Sequence, residues 1–456
     1  MNKNIYSLSL IAVVLSLGTW SCRLEDINEN PNVPGEINVS LLLPSAQRDL
    51  ANAICGRLFR YHGIAAQQLK GTDNQELLME NYNPDELFVG YPWEDLYSGP
   101  MINLALIRKD SETQQAPAYK AVANILLALC TGLITDTWGD APVSEALQGG
   151  NQLYPRYDTQ ADIYAQLHAW LDEAIVLADA ESPRTPGADD LVYGGDMEAW
   201  KKAAWALKAR FYIHTTGVEV QSASLALDAV QQAFSTAAGN CQYPYSGAAS
   251  DSNPINNFFA ASAYAVVDPQ FVSVMGISDP RFSHFIDIIP FTGGQSKVGD
   301  FRGLAQSPGV FIDATELKFI EAEARLRLGD QEGAEAALQA AVSQSCNAVE
   351  SFLGIDLPDG DVNELVVSMA LTGNFDQDLA LVMEQKYIAL FTSPECWTDW
   401  RRTGYPPLEP NENGNSDSNP GGEIPRRLIY PQSERLLNPN FPGSVTMQNR
   451  IWWDNN

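Results

Sequence analysis

FIEAEARLRLGDQEGAEAALQAAV, residues Phe319–Val342, decides the fold. Small residues fall at Ala322, Gly329, Ala334 and Ala341, with Leu338 between the last two. These are the offsets of a tetratricopeptide unit: two antiparallel helices, a tight turn, and small side chains where the axes cross. Alanine at the crossing lets the backbones approach, and Gly329 after Leu328 is a helix stop. The same step of seven, with an apolar residue four positions in, recurs at Ala226–Val230–Ala233. A weaker version stands at Leu167–Leu171–Ala174. Spacing between the units is uneven. The reading is a mainly α protein: a degenerate tetratricopeptide-like scaffold of helical hairpins with long irregular ligand-binding loops inserted.

Outward from the hairpin, apolar residues at three- and four-residue steps predict helices over 45–70, 97–108, 118–135, 160–178, 197–216, 223–237, 313–328, 331–344 and 376–391. Asp158 and Asp196 stand where N-caps are expected. Four stretches break the pattern: 71–96, 240–309, 348–374 and the C-terminal region 403–456. They are rich in Gly, Pro, Asn, Asp and aromatics, and too long for simple connections.

The N-terminus reads as an export signal. MNKNIYSLSLIAVVLSLGTWSC has one cation, Lys3, then an apolar run from about Leu8 to Leu17, then small residues before Cys22. That run is shorter than the ~20 residues a membrane span needs, and fits a secretory h-region. A cysteine at the cleavage point suggests lipidation of its thiol and new N-terminus, with two or more acyl chains giving stable anchoring. Leu17 and Ser21 suit a bacterial lipoprotein signal; Trp20 departs from the usual small residue. Residues 1–21 are thus expected to be a signal peptide and 22–44 a flexible tether, with NENPNVPGEI at its centre. Residues 45–456 are expected to form one domain. No second long apolar run is evident, so the body is expected to be soluble.

The formal charge is −29, from 57 acidic against 28 basic residues. That argues against nucleic acid, whose binding needs clustered cations, and against adsorption to anionic lipid. Beyond Cys22, five cysteines remain (Cys55, Cys130, Cys241, Cys346, Cys396), an odd number with no CxxC. One disulfide is possible; a framework is not expected.

Seven segments, the opening hairpin among them, carry a family resemblance in combination. They are LITDTWGDAPVSEAL (Leu133–Leu147), YPRYDTQADIYAQL (Tyr154–Leu167), LVYGGDMEAWKKAAWALKARF (Leu191–Phe211), the hairpin at Phe319–Ala341, LVMEQKYIALF (Leu381–Phe391), CWTDWRRTGYPPL (Cys396–Leu408) and IPRRLIYPQSE (Ile424–Glu434). Together with the signal they make the chain resemble the SusD/RagB family of outer-membrane nutrient-binding lipoproteins of Bacteroidetes, in its SusD-like branch. The resemblance implies a lid on a TonB-dependent, SusC-like outer-membrane transporter, capturing an oligosaccharide or peptide at the cell exterior. The matched segments read as architecture first. Trp397, Trp400, Arg401 and Arg402 are expected to pack the last helix on the scaffold. Arg426 and Arg427 are expected to brace carboxylates such as Glu384 or Asp399.

Catalytic signals are missing. His62, His168, His214 and His284 are scattered, and no HExxH, GxSxG or phosphate loop occurs. A sugar presents apolar C–H faces and hydroxyl edges, so its site needs aromatic platforms beside Asn, Asp or Gln. Two loop segments have that mixture: Asp73–Tyr97, with Asn74, Tyr82, Tyr91 and Trp93, and Cys241–Phe259, with Tyr243, Tyr245 and Phe258. These seven are the candidate ligand contacts; the competing reading is that they cover the helical core. No cofactor is expected. The loop Asn411–Glu423 is dense in oxygen ligands but lacks EF-hand order, so a solvated loop is expected, with calcium binding as the alternative. Two other functions stand against nutrient capture: a periplasm-facing repeat scaffold for envelope assembly, and a secreted hydrolase.

Overall fold

The computed structural model describes residues 38–149, 152–288 and 296–456. The signal peptide, Cys22 and most of the expected tether lie outside the described residues. Helix α1 (Val39–Ala53) passes through a π-turn, Ile54–Leu58, into α2 (Phe59–Ala65). Then come α3 (Asn74–Glu80) and α4 (Glu86–Leu96), a second π-turn at Tyr97–Met101, and α5 (Ile102–Thr113). Helices α6 (Pro117–Trp138), α7 (Gln160–Ala178), α8 (Met197–His214) and α9 (Ser222–Gln232) pack in succession. A segment of short elements follows: α10 (Pro254–Ala261), α11 (Pro269–Met275), α12 (Phe282–Phe285) and α13 (Asp300–Gly303). The quoted hairpin is α14 (Ala314–Arg327) and α15 (Gln331–Leu353). Last come α16 (Asp359–Val367), α17 (Phe375–Ala389), α18 (Glu395–Thr403) and α19 (Gln432–Leu437). Among the described residues, strands occur only as two-stranded antiparallel ribbons, such as β1 (Leu69–Gly71) on β3 (Ala265–Val267), with β2 (Cys241–Tyr243) between them in sequence.

The hairpin folds as its spacing requires. Ala322, Ala334, Leu338 and Ala341 are buried in one apolar cluster with Phe319 and Val342, and α17 adds Val382 and Met383. Gly329 takes φ +78° to stop α14, and Asp330 caps α15 by accepting the Gly333 amide at 3.0 Å.

Several expectations are corrected. The tether was expected to run to residue 44, but α1 begins at Val39, because Val39, Leu43, Ala46 and Leu50 form a continuous buried face. The stretch 71–96 is not a loop; it holds α3 and α4, capped by Asp73 and Asp85. α15 runs on to Leu353, and α16 takes up more of 348–374. Thr159 caps α7, whereas Asp158 accepts the Val143 and Ser144 amides. A second long apolar run does exist: α6 has the length and mean hydropathy (1.5) of a membrane span, but 94% of that run is buried inside the protein. The five described cysteines are all buried and free.

A buried ionic junction ties the repeat to the C-terminal helices. Arg210 on α8 donates twice to Glu316 on α14, at 2.6 Å each. Arg402 on α18 donates to Glu323 on α14 at 2.9 Å and to Asp399, and Lys386 on α17 also reaches Asp399 at 2.8 Å. Arg401 lies 4.0 Å over Trp397 and 4.8 Å over Trp453. Arg426 does not brace Glu384 or Asp399; it pairs with Asp454, and Arg427 donates to the Trp138 carbonyl. Asp399 is already taken by Lys386 and Arg402, and the chain end brings Asp454 to Arg426 instead.

His214 bridges Glu395 (2.9 Å) and Asp136 (3.4 Å) in this junction. Burial by itself lowers its pKa, but the two carboxylates hold it up at about 9. Its unfolded value is ~6.5, so its contribution is full below that pH and lost as pH rises through about 9. Wild-type stability to urea should therefore fall between about pH 6 and about pH 10 by on the order of 3 kcal/mol more than that of His214→Gln. Equal losses in the two proteins would show that His214 carries no charge here.

Candidate functional site

The site is built where α1 meets α2. Gly56 in the π-turn leaves helical geometry (φ −95°, ψ −110°), and an inserted residue of this kind re-aims the side chains around it. Arg57 and Arg60 follow immediately. Arg57 pairs with Asp95 at 2.7 Å, and its guanidinium lies 4.7 Å over the Tyr91 ring. Arg60 pairs with Glu76 at 2.9 Å and lies 4.4 Å over Phe258. Each cation thus has a carboxylate at its edge and a ring at its face.

The β1–β3 ribbon brings the second wall to the first. Leu69 pairs with Val267 and Gly71 with Ala265. Any Cβ at Gly71 would sit 1.9 Å from the Glu76 carbonyl oxygen, so the turn into α3 requires glycine. The Thr72 amide donates to the Tyr264 carbonyl at 2.8 Å, and the Thr72 hydroxyl to Ala263 at 2.6 Å. Asn74, at φ +50°, opens α3 beside them. The result is a cleft of about 820 Å³ lined by Asn74, Gln75, Phe88, Phe258 and Tyr264, with Arg57 and Arg60 at its rear. Its size lies in the range of small-ligand sites.

Of the seven candidate contacts, this cleft gathers Asn74 and Phe258 on its wall. Tyr91 stands behind, 5.8 Å from Phe88. The other four are core residues, and their candidacy is corrected. Tyr82 is buried, its hydroxyl accepting from the Asn411 amide and its ring packed on Gly414. Trp93 is buried against Trp138 at 5.3 Å and Tyr97 at 4.9 Å. Tyr243 and Tyr245 form a buried T-shaped pair, their hydroxyls given to Asp251 and Asn52. All four rings fill the core, and in the three tyrosines the hydroxyl also reaches a partner.

Arg57, Arg60, Phe88 and Tyr264 were not singled out in sequence. The available signal was RLFR, Arg57–Arg60, directly after Gly56 in a strongly acidic chain. The Asn411–Glu423 loop is less solvated than expected. Asn419 is buried and donates to Gly414 and Glu423 carbonyls, and Asn411 donates to Glu80. Among the described residues, no group of three or more His, Cys, Asp or Glu is placed to hold a metal. His62, whose pKa burial lowers to about 4, donates from Nδ1 to the Pro394 carbonyl, and its Nε2 lies 3.0 Å from the Thr137 hydroxyl.

The helical-repeat frame is shared with known proteins. A SusD-like family model, described as starch-binding and associating with outer membrane, matches residues 31–431, and the chain belongs to that SusD-like family. Solved structures share the fold. A chitin-binding SusD homologue from Flavobacterium johnsoniae is 21% identical, covering 91% of this chain and 99% of its own, at TM-score 0.78. A SusD/RagB family protein from Bacteroides thetaiotaomicron is 22% identical, covering 92% and 99%, at TM-score 0.75. A SusD-like protein from Bacteroidetes reaches TM-score 0.79 at 19% identity, over 92% of this chain and all of its own. Comparison with curated proteins gives no match.

The burial pattern separates wall from core. Trp93→Ala should destabilise the protein by ~3–5 kcal/mol, the usual range for a truncated core aromatic. Tyr91→Ala and Phe258→Ala should each cost under ~1.5 kcal/mol by chemical denaturation, since both rings stay partly exposed. A loss at Phe258 as large as at Trp93 would place that ring in the core.

Proposed function

We propose that this protein captures an oligosaccharide at the outer membrane and passes it, unaltered, to a TonB-dependent transporter. The observation that carries the reading is the cleft itself: Phe258, Tyr264 and Phe88 as ring surfaces, with Asn74, Gln75 and two arginine–carboxylate pairs at their edges. Rings take the C–H faces of a sugar and the polar edges take its hydroxyls. The family description and the chitin-binding relative support a glycan over a peptide.

The cleft's chemistry is that of holding rather than transforming. His214 and its two carboxylates are buried, out of reach of any ligand. Glu76, which lines the cleft, is engaged by Arg60, and Asp95 beside it by Arg57. An open, solvent-facing groove suits rapid capture and release. Lipidation of Cys22 after a signal of residues 1–21 would keep the protein beside the transporter, with its domain outside the cell. The apolar signal and the cysteine ending it support this placement.

Two measurements test the reading. Calorimetry against neutral oligosaccharides, chitin- and starch-derived, should give binding that falls roughly tenfold to a hundredfold in a Phe258→Ala, Tyr264→Ala double variant, from ~0.5–1.5 kcal/mol per ring. Protease added to intact cells should degrade the protein. Protection from protease, with no glycan bound, would favour the periplasmic scaffold. Turnover of the sugar, lost on removing one carboxylate, would favour a hydrolase.

A further inference from the structure

Behind the aromatic cleft lies a second cavity of about 510 Å³, between α1, the end of α4 and the second π-turn. It shares two residues with the first: Arg57 and Arg60 line both. The two chambers are therefore neighbours across a pair of guanidiniums. Their linings differ. The first has rings from Phe88, Phe258 and Tyr264; the second has no Phe, Tyr or Trp, and instead Asp49, Asn52, Asp95 and Ser98.

We infer that this second chamber is a distal subsite, which receives the further units of an uncharged oligosaccharide whose first units lie in the aromatic cleft. The inference rests on the glycan-capture reading. Chain geometry makes the space: a Cβ at Gly56 would meet nothing within 4 Å, so the π-turn leaves the chamber open on that side. The hydrogen-bonding inventory sets the ligand class. Asn52 accepts the Tyr245 hydroxyl at its Oδ1, which fixes the amide and leaves its N–H pair as donors. Ser98 donates to the Glu94 carbonyl at 2.6 Å, leaving its oxygen lone pairs as acceptors. Asp49 receives Ser45 at 3.1 Å and Asp95 receives Arg57 at 2.7 Å, and each carboxylate keeps acceptor capacity.

This mixture of donors and acceptors matches hydroxyls, which both give and receive. It suits charged ligands poorly. Arg57 and Arg60 are each already paired, with Asp95 and Glu76, so an acidic sugar would face Asp49 and Asp95, and an amine would face Arg57 and Arg60. With no ring to stack on, recognition here reads hydroxyl positions, while the first chamber reads ring faces. Arg57 stays pinned between Asp95 and Tyr91, so the divider is fixed in place before the ligand arrives.

The test measures affinity against chain length, using chitin- and starch-derived oligomers from disaccharide to hexasaccharide. In one of the series, the wild type should gain about tenfold as the oligomer outgrows the first chamber, ~1.4 kcal/mol. Ser98→Trp, which fills the second chamber, and Asp49→Ala, which removes an acceptor, should each abolish most of that gain and leave the affinity for the shortest binding oligomer unchanged. Asp49→Ala carries the test if Ser98→Trp fails to fold, as judged by its melting curve. A wild type that binds short oligomers without gaining from length, or a gain that survives in the folded variants, would overturn the subsite alone. If no oligomer of either series binds the wild type, the glycan reading fails and the subsite fails with it.

Discussion

Buried charge has to be satisfied in this fold, by counter-charges at most groups and by carbonyls and indole rings at Arg401, and its core is organised around that constraint. Arg210, Lys386 and His214 are buried, as is the side chain of Arg402, and each meets a carboxylate carried by another turn or helix. Removing one partner from such a pair costs about 3–5 kcal/mol, because the other charge is stranded. The contribution is therefore less one of net stability than of fixed register. Glu316 and Glu323 lie two turns apart on α14. One is met by α8 and the other by α18, so α14 has one axial position that satisfies both.

That register reaches the cleft through a short path. Glu395, which takes His214, directly follows Pro394, whose carbonyl receives His62. His62 stands on α2, two residues beyond Arg60. The ionic junction thus locates the helix carrying the cleft's cations, and the π-turn at Gly56 sets their direction. On the far side, Tyr82 and Asn411 fasten the C-terminal loop under α3, and the β1–β3 ribbon draws Tyr264 to Thr72. The segments that break the repeat pattern are ordered by such ties, and they form the walls of a groove that a bare helical hairpin could not make.

The frame was legible in sequence because its determinants are local. Ala322, Leu338 and Ala341 announce a helix crossing by spacing alone, and Asp196 announces a cap by accepting the Ala199 amide three residues on. The cleft was only half legible. Asn74 and Phe258 on its wall, and Tyr91 behind it, were found through residue type and loop context, but Tyr82, Trp93, Tyr243 and Tyr245 have the same type and context and are buried. What separates the two sets is contact across long stretches of chain, such as Tyr245 with Asn52 and Trp93 with Tyr430, and no periodicity encodes it. Arg57 and Arg60 escaped for a similar reason. Within a helix they read as surface cations, and only the non-helical Gly56 and the distant Phe258 turn them toward a groove.

This member of the SusD-like family thus presents a cleft lined by ring faces, with a polar chamber beside it. The most direct measurement is the crystal structure of the protein soaked with the longest oligosaccharide it binds. The account predicts one sugar ring over Phe258 or Tyr264, hydroxyls within hydrogen-bond distance of Arg57 and Arg60, and the chain continuing toward Asn52. Sugar density confined to another surface, such as the acidic hollow between Met275 and Leu365, with the aromatic cleft empty, would contradict it.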